Sequence, residues 1–336
     1  MWTSLEPIKV LRYLLVWRVN RSLVQLPPSF AADLSLVLGT IIADRLPTRK
    51  ATPWRKALAR RDTLGASGNQ TGLVVVPEAP WPLETVVLVY PGKRTYGQGE
   101  PILWELKLFG ASADHGLFLE TILPALEEAS YTADPRWHVR NTIWGRFDIQ
   151  AVYVARGMHW EPLVRDGRLD LRYRPSATQW ADGLTLGADR GHPCHRLTWV
   201  TPFDFDGMSA DKSDVNSSER PAGTVRANGP TLRTILNALL SRLGRLIPDR
   251  PMMPEDGRDA LLLEGPLRLQ EAMQAADDVL LRSADLERVP DRWPGQWRGT
   301  QVFASIPALC FPSLQLASIL HVGRQTHFGC GTFVVS

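Results

Sequence analysis

Between Leu320 and Phe333 the chain reads Leu-His-Val-Gly-Arg-Gln-Thr-His-Phe-Gly-Cys-Gly-Thr-Phe, and its residue types could act together on a phosphate. Gly323, Gly329 and Gly331 lack a Cβ, so backbone N–H groups there can approach an anion closely. Arg324 adds a cation where the loop leaves a helix, and His327 inside the loop could move a proton. The plain alternatives are a tight helix-to-strand turn and a histidine that only stacks or hydrogen-bonds locally. A second set of cations, Arg233, Arg242 and Arg245, falls on a predicted helix over 230–247, with Arg226 in the loop before it. Guanidinium groups can clamp a phosphate and stabilise developing charge, although they are poor proton acceptors. Their plain alternative is a solvated helix face. A third set lies between Arg45 and Arg61, where Arg49, Lys50, Arg55 and Lys56 are four of seven cations, dense enough to neutralise several phosphates if they share a face. A solvated basic loop is the alternative there.

Other chemistries find less support. The three cysteines, Cys194, Cys310 and Cys330, have no paired spacing, so neither a disulfide framework nor a structural zinc site is expected, and buried thiols are the simpler reading. His192-Pro193-Cys194-His195 offers too few ligands at suitable spacing for a metal and reads as a surface turn. No cofactor motif is present. The apolar run around Leu11 to Val19 is broken by Arg12 and Arg18, and no small-residue cleavage site follows it, so no membrane anchor or signal peptide is expected and the cytoplasm is the expected location. Net charge is only +3, but residues 1–70 are much more basic than the whole. The 12 tryptophans suit a large core, and any exposed one could stack on an unpaired base.

The elements that must position these groups follow from periodicity. Leu11 to Val24 reads as a strand stopped by Pro27-Pro28, and Ser29 is placed to cap a helix beginning at Phe30. Strand-like runs follow at 73–76, 85–90 and 102–109, then an amphipathic helix over 115–130 with Asp114 as its cap, then an alternating strand over 147–154. That order is βαββαβ, the ferredoxin-like unit. It begins again with a strand at 197–205, helices at 230–247 and 265–275, strands at 279–289 and 297–306, a short helix at 314–320 and a last strand at 328–335. The expected architecture is therefore α+β, with two tandem ferredoxin-like (RRM-like) domains carrying helical insertions. Residues 1–160 form the first, with a basic loop at 45–61; 161–192 form a connector; 193–336 form the second.

Several segments together resemble the CRISPR repeat-processing endoribonucleases of the RAMP superfamily. The C-terminal glycine-rich loop resembles theirs, with Gly-x-Gly entering the last strand. Leu26-Pro27-Pro28-Ser29, Trp104 to Gly110, Thr201-Pro202-Phe203 and Leu240 to Leu243 match further family segments in the right order, over most of residues 10–336. The resemblance implies a protein that holds the hairpin of a CRISPR repeat, cuts at its base and keeps the product, with a type IV system as the suggested setting. The implied chemistry is attack by the ribose 2′-OH on the adjacent phosphate, leaving a 2′,3′-cyclic phosphate and a 5′-OH, with no metal or cofactor because the substrate supplies the nucleophile. Implied partners are the repeat RNA or its guide product and other CRISPR effector-complex subunits. One departure is clear: many relatives place a histidine on the first helix, and none lies between Ser29 and Arg45. That residue cannot be carried over, and the residues themselves then offer Arg242, Arg245 and His327 as the candidate catalytic set, with Arg226, Arg233, Gly323, Arg324, Gly329, Gly331, Arg49, Lys50, Arg55 and Lys56 on RNA. The missing histidine favours a second reading, a non-cutting RAMP subunit that caps or scaffolds a guide-RNA complex. A small-molecule enzyme on the same scaffold ranks last, for want of a cofactor or metal motif.

Overall fold

A computed structural model of the chain describes residues 8–27, 29–65, 81–90, 92–132, 143–187, 194–205, 229–247, 260–290 and 293–336. The strand predicted at 73–76, Arg226 and His192 lie outside them. Two compact units result: Ile8–Gly183 together with His327–Gly329, and Leu184–Thr326 together with Cys330–Ser336.

In the N-terminal unit, β1 (Val10–Val19) alternates as a half-buried strand should: Leu11, Tyr13, Leu15, Trp17 and Val19 enter the core, and Arg12, Leu14, Val16 and Arg18 take the other face. The short strand β2 (Leu23–Gln25) is separate from it, and then α1 (Phe30–Arg45) buries Phe30, Leu34, Val37, Leu38, Ile41 and Ile42. Ser29 is the N-cap, though its side chain makes no capping bond. The basic segment predicted as a loop is instead helix α2 (Thr48–Gly65). Ala51, Trp54 and Leu58 recur at helical spacing and are buried, which outweighs the internal Pro53.

Next come β3 (Thr85–Val89), β4 (Thr95–Gly97, paired with β2) and β5 (Pro101–Phe109). Helices α3 (His115–Leu117) and α4 (Leu123–Tyr131) are joined by one π-helical turn, Phe118–Ile122, and Asp114 caps the run by accepting from the Gly116 N–H. Strand β6 (Phe147–Arg156) returns beside β1, and β7 (His159–Arg165) and β8 (Arg168–Leu169) extend the sheet. The order is β3-β5-β1-β6-β7-β8, antiparallel throughout, and its first four strands have the ferredoxin-like arrangement. Trp17 stacks on Phe147 at 3.9 Å, and Tyr13 on Phe118 at 3.8 Å, tying the sheet's core face together.

The predicted connector therefore starts too early. Residues up to Gly183 fold with the first unit, because β7 and β8 pair onto β6 and the fully buried Trp180 donates its Nε1–H to the Ile8 carbonyl at 2.8 Å. Composition rich in Arg, Asp, Gly and Pro predicts a connector with one or two short strands; short strands are there, but they belong to the first sheet.

The C-terminal unit repeats the pattern with β9 (Arg196–Trp199), α5 (Leu232–Leu246), α6 (Ala260–Asp277), β10 (Leu281–Arg288), β11 (Trp297–Phe303), α7 (Phe311–Leu320) and β12 (Phe333–Val335). Its sheet runs β10-β11-β9-β12, the same relative order as the first four strands of the other unit. Thr231 caps α5, its hydroxyl accepting from the Thr234 N–H at 3.1 Å. All three cysteines are free and buried. Among the described residues no helix is long and apolar enough to cross a membrane.

Candidate nucleic-acid interface

Outside His327–Gly329, which belong to the N-terminal unit, the glycine-rich loop after α7 folds back on its own unit. The Arg324 N–H donates to the Asp204 carbonyl at 2.8 Å, the Gly331 N–H to the Pro202 carbonyl at 2.9 Å, and the Val322 N–H to the Gly331 carbonyl at 3.1 Å. The three glycines have φ of +93° (Gly323), +80° (Gly329) and +84° (Gly331), left-handed backbone that favours glycine. The approaching groups, however, are the protein's own carbonyls. A Cβ would lie 2.5 Å from the Asp204 oxygen at Gly323, 2.9 Å from the Val87 oxygen at Gly329 and 1.8 Å from the Val322 oxygen at Gly331. The close approaches anticipated for a phosphate are made here within the chain, and the amides of Arg324 and Gly331 already have acceptors.

Helical spacing predicts a buried stripe of Leu232, Ile235, Leu236, Leu239, Leu240 and Leu243, and α5 is phased differently. Its buried stripe is Leu232, Ile235, Leu236, Leu239, Arg242 and Leu246, whereas Leu240 is 49% exposed. Arg242 is thus an interior side chain, and its Nε donates to the Leu320 carbonyl at 3.3 Å, a cation at the C-terminal end of α7. Arg233 is engaged too: its Nη1 donates to Asp277 Oδ2 at 2.7 Å and to the Met273 carbonyl at 3.1 Å. Arg245 stands exposed in the last turn of α5, and Arg324 is half-buried.

His327 belongs to the N-terminal unit. Its Nε2 lies 2.8 Å from Ser35 Oγ on α1, its Nδ1 2.7 Å from Thr85 Oγ1 on β3, and its ring meets Trp81 edge-on at 5.4 Å. An imidazole thus reaches the first helix from the far end of the chain, but it is only 2% exposed and both ring nitrogens face hydroxyls. Replacing His327 with Ala is expected to cost roughly 1–3 kcal/mol, because two buried hydroxyls lose their partner. Urea denaturation checks this; unchanged stability would show that the buried cluster does not need the ring.

On α2, Arg49, Lys50, Arg55 and Lys56 are exposed while Ala51, Trp54 and Leu58 face inward, so these four cations line the outer side of one helix. Arg45, just before it, is tied to Glu128 at 2.8 Å.

Two polar groupings escaped sequence reasoning. On the sheet face away from α1, the Arg12 Nε donates to Glu105 Oε1 at 2.6 Å and the Tyr90 hydroxyl to Glu105 Oε2 at 3.0 Å, with buried Lys107 beside them. Burial opposes the Glu105 charge, but Lys107, Arg12 and these hydrogen bonds outweigh it and hold the carboxyl below its ordinary range. Half-buried His115 has Nδ1 3.1 Å from the Tyr13 hydroxyl, and burial, with the Arg174 cation adding to it, lowers its pKa. Alternation shows which strand residues share a face, but not which strands are neighbours. Among the described residues no group of three or more His, Cys, Asp or Glu side chains could hold a metal ion.

No protein-family model and no curated relative matches the sequence. Solved structures do. A chain of a partial Cas6-RT-Cas1–Cas2 complex aligns with 98% of this chain at 10% identity and a TM-score of 0.51, over 46% of its own length. A chain of a Cas6-RT-Cas1–Cas2 complex gives the same identity and TM-score, over 98% of this chain and 29% of its own. The protein therefore spans less than half the length of those two chains. A Cas6 product complex aligns over 98% of this chain and 99% of its own, at 17% identity and a TM-score of 0.45. The resemblance read from the glycine-rich loop and its companion segments is met at the level of fold: this chain, with its two ferredoxin-like sheets, is similar in fold to chains of the Cas6-RT-Cas1–Cas2 complexes.

Proposed function

We propose that the protein binds the hairpin of a CRISPR repeat in precursor RNA and cuts it without a metal, by attack of the ribose 2′-OH on the adjacent phosphate, keeping the product for an effector complex with other CRISPR proteins. The observation that carries this reading is the repeated β10-β11-β9-β12 and β3-β5-β1-β6 order, in a chain whose fold is similar to that of a chain in a Cas6-containing complex. The exposed cations of α2 support it, since a basic helix can neutralise successive backbone phosphates. In this reading Arg245 and Arg324 are the accessible members of the site and hold the scissile phosphate. Arg242, Gly323, Gly329 and Gly331 shape the loop that carries Arg324, Arg233 steadies α5 against α6, and Arg226 lies outside the described residues. His327 serves as proton carrier only if its cluster opens.

Incubation of the protein with its own locus's repeat RNA in EDTA tests the proposal, with wild type and Arg245→Ala compared and product ends identified. Single-site cleavage giving a 2′,3′-cyclic phosphate is expected from wild type, and slower cleavage with binding retained from the variant. The burial of both Arg242 and His327 favours the second reading, a non-cutting RAMP subunit, and tight binding without cleavage by wild type would establish it.

Alanine at Arg49, Lys50 and Lys56 together is expected to flatten the dependence of log K on log salt by about 0.7–0.9 for each phosphate that the helix no longer neutralises. Fluorescence anisotropy across a salt series reads this directly, and an unchanged slope would remove α2 from the interface.

A further inference from the structure

One lateral row crosses five strands of the N-terminal sheet on its face away from α1. Leu103 on β5 pairs with Val16 on β1, Val16 with Ala151 on β6, Ala151 with Arg165 on β7, and Arg165 with Arg168 on β8. Directly opposed residues of antiparallel strands project to the same side. Leu103 is 42% exposed, Val16 is half-buried, and both arginines are exposed. Tyr153, half-buried in the adjacent row, sits opposite Leu14 and Pro162.

The hairpin that ends this row is built tightly. Asp166 and Gly167 have φ of 51° and 72°, the two left-handed residues of a type I′ turn, which holds Arg165 and Arg168 face to face. Like charges directly opposed across a strand pair destabilise it. Among the described residues neither guanidinium has an ion-pair partner, whereas Arg156, where β7 leaves β6, has two, Glu161 and Asp182, each at 2.8 Å. An arginine pair kept opposed at the outer edge of a sheet, without a carboxylate, is arranged for an anion that arrives from outside.

We propose that this row binds an unpaired stretch of RNA beside the repeat hairpin, with Arg165 and Arg168 closing on one phosphate and Leu103, Val16 and Tyr153 carrying base faces. The proposal rests on the RNA-binding reading above. Unpaired RNA fits better than a duplex because a sheet face of aliphatic and aromatic side chains suits unstacked bases, whereas a duplex keeps its base faces stacked inside.

The test compares two RNAs by anisotropy, the repeat hairpin alone and the same hairpin with an unpaired flank of about eight nucleotides. For Arg165→Ala/Arg168→Ala the extra affinity contributed by the flank is expected to fall about tenfold, with the salt slope flatter by roughly 0.7 for each phosphate that is no longer neutralised. Binding of the bare hairpin is expected to stay unchanged, and the melting temperature to hold or rise at low salt as the repulsion is removed. Arg165→Lys/Arg168→Lys is expected to keep the slope. Unchanged flank affinity in the alanine variant would overturn the proposal, as would a drop in its melting temperature, which would make the pair structural. Failure of wild type to bind either RNA would instead overturn the RNA reading itself.

Discussion

Gly331→Ala is expected to unfold the C-terminal unit, not merely to weaken RNA binding. The added Cβ would sit 1.8 Å from the Val322 oxygen and 2.9 Å from the Val322 carbon and nitrogen, all backbone atoms, at a φ of +84°. The segment cannot slide away cheaply. Gly331 accepts from the Val322 N–H and donates to the Pro202 carbonyl, so relief of the clash breaks both bonds and frees the start of β12 from β9. The expected cost is about 4 kcal/mol or more, in the range reached only by severe backbone strain or core disruption. Set against a typical total of about 5–15 kcal/mol, that leaves little of the unit folded. Trp199 and Trp297, both buried in this unit, report the change by fluorescence during thermal melting. A variant that melts like wild type yet no longer binds RNA would restore the view that this glycine opens the backbone to phosphate.

That contrast marks where one-dimensional reading stops. Close backbone approach was legible at Gly323, Gly329 and Gly331, because glycine has no Cβ in the way; the partner was not, because Asp204 and Val87 lie far along the chain and Val322 meets Gly331 only when the loop closes on itself. The strands β1, β5 and β6 and the order of both ferredoxin-like units were legible because alternation at period two is local. Helix α2 was missed because Pro53 and a dense charge run mask a stripe of only three buried residues, Ala51, Trp54 and Leu58. The expected α5 stripe took in Leu240 and Leu243 and left out Arg242 and Leu246; the guanidinium lies inside because the Leu320 carbonyl at the end of α7 accepts from it. His327 could be named but not placed, since its partners Ser35 and Thr85 are 292 and 242 residues away. The opposed arginines 165 and 168 stood in plain view around Asp-Gly, a strong hairpin signal, and were absorbed into a supposed connector.

Replacing Glu105 with Gln is expected to cost about 3–5 kcal/mol at neutral pH, the range found when one partner of a buried ion pair is removed. The carboxylate is 1% exposed and Lys107 4%, and Arg12 and Lys107 are directly opposed in the β1–β5 register. One negative charge therefore stands between two cations that would otherwise repel, with the Tyr90 hydroxyl satisfying its second oxygen and the Arg12 guanidinium 5.3 Å from the Trp160 ring. Glutamine keeps the shape and loses the charge. The pH dependence separates charge from packing. Because the folded carboxyl titrates below its ordinary 4.5, its stabilisation is complete above that value and disappears as pH falls through the lower folded pKa. Urea denaturation of wild type and variant is therefore expected to show the full gap at pH 7 and a narrowing one as pH drops below about 4. A gap of equal size in acid would mean that the glutamine disturbs packing, and that Arg12 and Lys107 do not depend on the charge. A double-mutant cycle of Arg12→Leu with Glu105→Leu completes the case: adjacent and oppositely charged, the pair is expected to show a coupling of about 1–3 kcal/mol, because the second replacement removes the cation that the first leaves behind.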